Sequence, residues 1–322
     1  MDTKKILKLH PAPNTKRDPP PPPPPARKWA GWAAPAPKSR VENYLGLEEI
    51  ERLQQKSIEK ELLDRLRAAE ATPLLSAPPP PAPEEKTWIQ QEEGLELPEI
   101  TPEMEEVIQR ARRSKGEVLV DSHKIQITRK DINTLNGLNW LNDEIINFYF
   151  EMIQERSAEK GLKVYATNTF FYPKMMELGQ PALKRWTKRV DIFEKDIMLI
   201  PVYLGMHWCL AVVDFRKPGV YYYDSMGGNN KKCLITLLKY IQDEHRDKKG
   251  KELDIEKWEH KIRKDIPQQM NGSDCGMFAC KFAEYISRGA SISFTQQDMP
   301  YFRRRMIWEI VNDTLLPPTK MF

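Results

Sequence analysis

Residues 197–224 read IMLIPVYLGMHWCLAVVDFRKPGVYYYD. Three apolar runs stand out in this stretch: Ile197 to Tyr203, Trp208 to Phe215 and Val220 to Tyr223, the last two separated by the turn residues Arg216, Lys217, Pro218 and Gly219. Their length and β-branched and aromatic content predict strands at the centre of a sheet, the last pair forming an antiparallel hairpin. Upstream, Asn142 reads as an N-cap with Asp143 and Glu144 in the first turn, where the helix dipole favours negative charge. Ile145, Ile146, Tyr149, Phe150 and Ile153 then mark the core-facing stripe of a helix. Residues 102–113 read as a short charged helix, Lys124 to Thr128 as a strand and Asp131 to Asn136 as a helical turn. Downstream the pattern predicts a helix from Cys233 to Glu244, a charged loop around Arg246 to Lys251, a helix opening near Cys275 and a last one over Met299 to Leu315. This order of elements is α+β.

Composition divides the 322 residues: 18 of the 27 prolines fall in the first 98, so the two ends of the chain differ in kind. Residues 1–40, with the run Pro19 to Pro25, are expected to form a disordered tail, because such a composition buries too little surface to offset its ordering entropy. That run is a solvated spacer or a docking strand for a proline-recognition domain. Residues 41–71 carry Leu45, Ile50, Leu53, Ile58, Leu62 and Leu66 at helical spacing and read as one amphipathic helix, followed by a proline-rich linker over 72–94. Residues 95–322 are long enough for one sizeable core. A net charge of +4 argues against a strongly basic nucleic-acid binder. No apolar stretch approaches the roughly 18 residues of a membrane span, and no secretory signal opens the chain, so an intracellular protein is expected. Cys209, Cys233, Cys275 and Cys280 show no paired CxxC spacing, which suggests neither a zinc site nor a disulfide framework.

One of these cysteines has the setting of a nucleophile. Cys275, in Gly272-Ser273-Asp274-Cys275-Gly276, directly precedes a helical run, where the dipole and free N–H groups favour thiolate over thiol. Cys280 lies deeper in that helix and reads as a core residue. A thiol nucleophile needs a base, and the base an orienter. His207 sits between two strands, and the hairpin returns Asp224 towards it. His10 lies in the tail, His245 and His260 in charged segments, and His123 before a strand without acidic or thiol company, which leaves His207 as the candidate base.

The string Ile266 to Phe278, IPQQMNGSDCGMF, resembles the active-site segment of the sentrin/SUMO-specific cysteine proteases almost verbatim. The resemblance spans roughly 95–322, through Asn139-Trp140-Leu141-Asn142-Asp143-Glu144, Asn168 to Tyr172, Arg185 to Lys188, His207 to Asp214, Tyr222 to Gly228 and Phe294 to Gln297. It implies a papain-like cysteine protease fold of the ubiquitin-like protease type. It also implies Cys275 as nucleophile, His207 as general base, Asp224 as its orienter and Gln269 as oxyanion donor, roles that suit those residue types. Trp140 and Trp208 match a pair that forms a narrow tunnel over the modifier's C-terminal Gly-Gly. Asp143, Phe170, Arg185 and Trp186 match the surface that docks the modifier's body. No metal or organic cofactor is implied; the implied partners are SUMO and SUMO-conjugated proteins, and the implied location is the nucleus, with the cytoplasm as a second site. Tyr203 departs from the family, whose nearest branch has histidine there. A protease for another ubiquitin-like modifier, an acetyltransferase with a similar triad and a catalytically dead modifier-binding module are the alternatives.

Overall fold

The computed structural model describes residues 95–113, 118–159, 161–317 and 319–320. The expected tail (1–40), amphipathic helix (41–71) and linker (72–94) lie outside the described residues. In chain order the elements are β1 (Leu95–Glu96), α1 (Pro102–Arg113), β2 (Val118–Ser122), β3 (Ile125–Thr128), the short α2 (Arg129–Ile132), α3 (Asp143–Glu159), β4 (Val164–Ala166), α4 (Phe171–Leu178), β5 (Ile197–Tyr203), β6 (Trp208–Asp214), β7 (Gly219–Tyr223), α5 (Lys231–Lys249), β8 (Glu259–Arg263), α6 (Cys275–Ser287), α7 (Met299–Val311) and β9 (Thr319–Lys320).

A five-stranded sheet runs in the order β4-β5-β6-β7-β8. The three apolar runs are its middle strands, antiparallel to one another, with Tyr203 opposite Trp208 and Leu210 opposite Tyr223. The edge strands β4 and β8 are added in parallel. Alternate side chains serve two cores. Leu199, Leu210, Val212, Tyr221 and Tyr223 bury with apolar residues of α3, α6 and α7. Met198, Ile200, Val202, Ala211, Val213 and Tyr222 bury with those of α4 and α5. Both faces of the sheet are therefore dry, which is why its central strands are continuous apolar runs rather than alternating ones.

The structure departs from the expected elements at several places. Helix α5 continues through the charged stretch to Lys249, because Arg246, Lys248 and Lys249 suit the negative end of the dipole, and it stops at Gly250, φ 65°. Helix α7 ends at Val311, four residues early; Asn312 caps it and Asp313 takes φ 48°. Strand β4 is three residues long, too short for any periodicity, and β8 is the polar edge sequence EHKIR. Helix α4 contains Pro173, tolerated in a first turn that needs no intrahelical donor. Among the described residues no helix is long and apolar enough to cross a membrane.

Candidate active site

The hairpin and the start of α6 bring His207, Asp224 and Cys275 into one cluster. His207 directly precedes β6 and Asp224 directly follows β7; continuing the register that pairs Leu210 with Tyr223 sets Asp224 opposite Cys209, near enough for its carboxylate to reach the imidazole. His207 Nε2 and Asp224 Oδ1 are 2.7 Å apart. The same oxygen accepts the Met226 N–H at 2.8 Å, which fixes the carboxylate from a second side. Burial pushes the Asp224 carboxyl up, but the hydrogen bond and charge of His207 outweigh it and hold the group below the ordinary carboxylate range. Burial pushes the His207 imidazole down; the Asp224 bond, with contributions from the Cys209 and Cys275 thiols, reverses this and holds it well above its ordinary value. With Nε2 committed to the carboxylate, Nδ1 is the ring nitrogen left over, and it is buried without a hydrogen bond.

Cys275 is the first residue of α6 and is buried, within electrostatic reach of His207. The first-turn N–H groups of such a helix have no intrahelical acceptor. Cys209 presents its sulfur to the same imidazole, and His207, Cys209 and Asp224 hold donor atoms within 4.8 Å of one another. Burial pushes the Cys209 thiol up to about 11, so it stands there as a neutral neighbour rather than an anionic ligand. Cys280 is wholly buried and pushed up to about 12, as befits a core thiol.

Gln269 is held in one orientation. Its Oε1 accepts the Ser225 hydroxyl at 2.6 Å, its Nε2 donates to Asn271 O at 2.5 Å, and its backbone N–H donates to Ser225 O at 2.9 Å. The amide nitrogen keeps a second proton for another acceptor. Ser225 follows Asp224 directly, so one turn orients both the carboxylate and the amide.

Of the aromatic pair, Trp208 is only 4% exposed and packs on Tyr203 with ring centroids 4.5 Å apart, while Trp140 is 42% exposed. Leu141, the neighbour of Trp140, and Trp208 both back onto Gly276, which places both segments beside the start of α6. Asp143 opens α3 half-buried, and burial alone raises its carboxyl. Phe170 stands 58% exposed at the start of α4. Arg185 is exposed, and Trp186 is half-buried against Phe171 with the Lys174 ammonium 4.9 Å above its ring.

The sequence assigns no role to Ser225, Asn271, Gln296 and Arg303, which support the site through side-chain bonds; the first three lie inside the motifs that carry the resemblance, and Arg303 is one of three consecutive arginines in α7 with nothing local to single it out. His123 needs correction. It is not without acidic company, because Asp313 Oδ1 is 2.8 Å and Glu155 Oε2 3.6 Å from its Nε2, residues brought in from 190 and 32 positions away in the chain.

A thiol opening a helix, with an imidazole beside it and a carboxylate behind that imidazole, on a mixed α/β fold, defines a site of the cysteine-protease type. Residues 139–313 match the Ulp1 protease family, C-terminal catalytic domain, and the chain belongs to that family. It is 46% identical over 226 residues to sentrin-specific protease 2 of Homo sapiens, a match covering 69% of this chain and 38% of that protein. It is 49% identical over 203 residues to a sentrin-specific protease of Caenorhabditis elegans, covering 62% of this chain and 29% of that one. Among solved structures it is similar to the C-terminal Ulp1 protease domain in complex with Smt3, the yeast ortholog of SUMO, with a TM-score of 0.60 and 31% identity over 67% of this chain and 97% of that chain. The match thus spans less than two fifths of the human and nematode relatives.

Proposed function

We propose that this chain is a SUMO-specific cysteine protease that hydrolyses the bond after the modifier's C-terminal Gly-Gly, in the precursor and in conjugates to lysine. The observation that carries this reading is the His207–Asp224 pair at 2.7 Å, whose imidazole also lies within electrostatic reach of the Cys275 thiol. His207 Nδ1 takes the Sγ proton and the sulfur attacks the glycyl carbonyl; Asp224 keeps the proton on Nε2 and stabilises the imidazolium. The oxyanion is received by the free proton of Gln269 Nε2 and by first-turn N–H groups of α6. Collapse expels the amine, which takes the proton from His207, and water activated by the same imidazole hydrolyses the thioester. Each oxyanion donor is worth about 100- to 1,000-fold in turnover. Trp140 and Trp208 flank the path of the two glycines, which lack a Cβ and so fit between indoles. Asp143, Phe170, Arg185 and Trp186 receive the modifier's globular body.

The test is cleavage of a SUMO precursor and a ubiquitin precursor by the purified chain, beside Cys275→Ala. Cleavage of the SUMO precursor alone, lost in the variant while SUMO binding persists, is the expected result. Cleavage by Cys275→Ala would overturn the nucleophile, and SUMO binding without cleavage by the unaltered chain would make it a binding module.

A further inference from the structure

Asp274 occupies the N-cap position of α6, where an aspartate ordinarily bonds the first-turn N–H groups with its own carboxylate. Here it makes no such bond. Its carboxylate points away from the helix. Oδ1 accepts Arg303 Nε at 2.9 Å and Nη2 at 2.7 Å, and Oδ2 accepts Asn271 Nδ2 and Gln296 Nε2, both at 2.7 Å. Both oxygens are thereby occupied by donors from the loop before the helix, from the segment before α7 and from α7 itself. Arg303 and Asp274 are both almost wholly buried. The guanidinium continues to Ser273 O at 3.3 Å and to Thr134 O at 3.2 Å, the latter in the 3-10 turn Asn133–Leu135 that precedes Trp140.

We infer that Arg303 is a positioning residue for the reaction proposed above: it holds the Asp274 carboxylate off the N-terminus of α6, so that the first-turn N–H groups stay open to the oxyanion and no free negative charge faces the nucleophile. An Asp274 without its guanidinium would swing into the ordinary capping position. It would then occupy those donors and repel the developing anion at Cys275. Burial would raise the Asp274 carboxyl; the bonds from Asn271, Gln296 and Arg303 override it, so the group is a carboxylate whose charge needs an answer. Arg303 also joins the nucleophile's turn to the segment 133–140, so the two walls beside Cys275 share one anchor. Asn271 extends the frame to the oxyanion donor, since its carbonyl accepts Gln269 Nε2 while its Oδ1 accepts the N–H groups of Ser273 and Asp274, each at 3.0 Å.

The experiment measures kcat and KM on a SUMO precursor, and the pH dependence of iodoacetamide alkylation at Cys275, in Arg303→Gln, Arg303→Lys and Gln296→Ala. The groups around the thiol that set this profile are His207, Asp224 and Cys209 from the hairpin and Asp274 from its own turn. Arg303→Gln is expected to lose about 100-fold in kcat, the scale of a misplaced reacting group, with little change in KM, and to shift its alkylation profile to higher pH. Arg303→Lys keeps the charge and should recover part of both; Gln296→Ala, with the ion pair intact, should show a smaller shift in the same direction. A folded Arg303→Gln with unaltered kcat and an unmoved alkylation profile overturns the inference. Should Arg303→Gln fail to fold, unmoved profiles in both Arg303→Lys and Gln296→Ala overturn it equally. The alkylation readout needs no modifier, so a chain that never cleaves SUMO would sink the proposed function while leaving this inference to be judged by the thiol alone.

Discussion

At the scale of single residues, the carboxylate of the site is enclosed on every side. A Cβ at Gly228 would lie 2.3 Å from Asp224 Oδ2, and Oδ1 is already committed to His207 and Met226, so the carboxylate has no direction in which to yield without turning the imidazole. Gly228→Ala should therefore stay folded and lose up to about 100-fold in kcat, as a displacement near 1 Å does elsewhere; steady-state cleavage together with a thermal melt checks it, and wild-type turnover would mean the turn relaxes freely. Asp143 offers the opposite case. Its carboxyl is raised by burial alone, so ionising it costs the folded state free energy above its folded pKa and nothing below its unfolded one. Asp143→Asn should raise the denaturation midpoint at neutral pH, with the gain vanishing in acid below the ordinary carboxylate range, while weakening SUMO binding. Stability and affinity that fell together would instead make the carboxylate a structural group.

At the scale of elements, His207, Asp224, Cys275 and Asp143 owe their places to how a helix or strand begins or ends. Asn142 accepts the Ile145 N–H on Oδ1 at 3.2 Å and gives its Nδ2 to Asp131 Oδ1 at 2.8 Å, tying the start of α3 to α2. Asn142→Ala should cost about 0.5–2 kcal/mol, the range for a lost N-cap, read from urea unfolding; because Trp140 and Asp143 flank the cap, KM should rise more than kcat falls. A loss confined to kcat would place the damage at Cys275 instead. Element ends also explain what the sequence disclosed. The central strands were legible because dry packing on both faces makes them long apolar runs, and the hairpin turn between them carried Asp224 back to His207. Asn142 and Cys275 were legible as helix starts because capping residues and loop glycines precede apolar periodicity. The edge strand EHKIR was not legible, since an edge tolerates polar residues, and neither was Arg303, which pairs with a residue 29 positions away. No local pattern encodes a partner at that distance. The company of His123 was misjudged for the same reason, because Asp313 reaches it only once the chain has folded.

At the scale of the whole molecule, the layer behind Cys275 is held by buried charge as well as by apolar packing. Glu284 on α6 accepts Arg156 Nη1 from α3 at 2.7 Å and Arg288 Nε at 2.7 Å, with Lys281 Nζ at 3.3 Å. Lys281 donates to Tyr149 OH at 3.2 Å, Tyr149 to Glu309 Oε2 at 3.3 Å, and Glu309 pairs with Arg305 Nε at 2.7 Å on α7. Three helices are thus joined through two carboxylates facing four cations. Burial opposes the charge on Glu284, but Lys281, Arg288 and Arg156 together hold its carboxyl well below the ordinary value of 4.5. An acid depressed in the folded state contributes stability that is fully present above its unfolded pKa and is lost as pH falls through the folded one. Glu284→Gln removes the buried carboxylate that three cations share, so it should cost about 3–5 kcal/mol at pH 7, the scale of breaking a buried pair. The deficit should then shrink as pH falls below 4.5, where the unaltered protein begins to lose the same interaction. Urea unfolding of both proteins across that range decides it. A deficit independent of pH would assign the loss to packing, whereas a converging pair of curves would make Glu284 the residue through which acid loosens α6 from the helices that hold Cys275 in place.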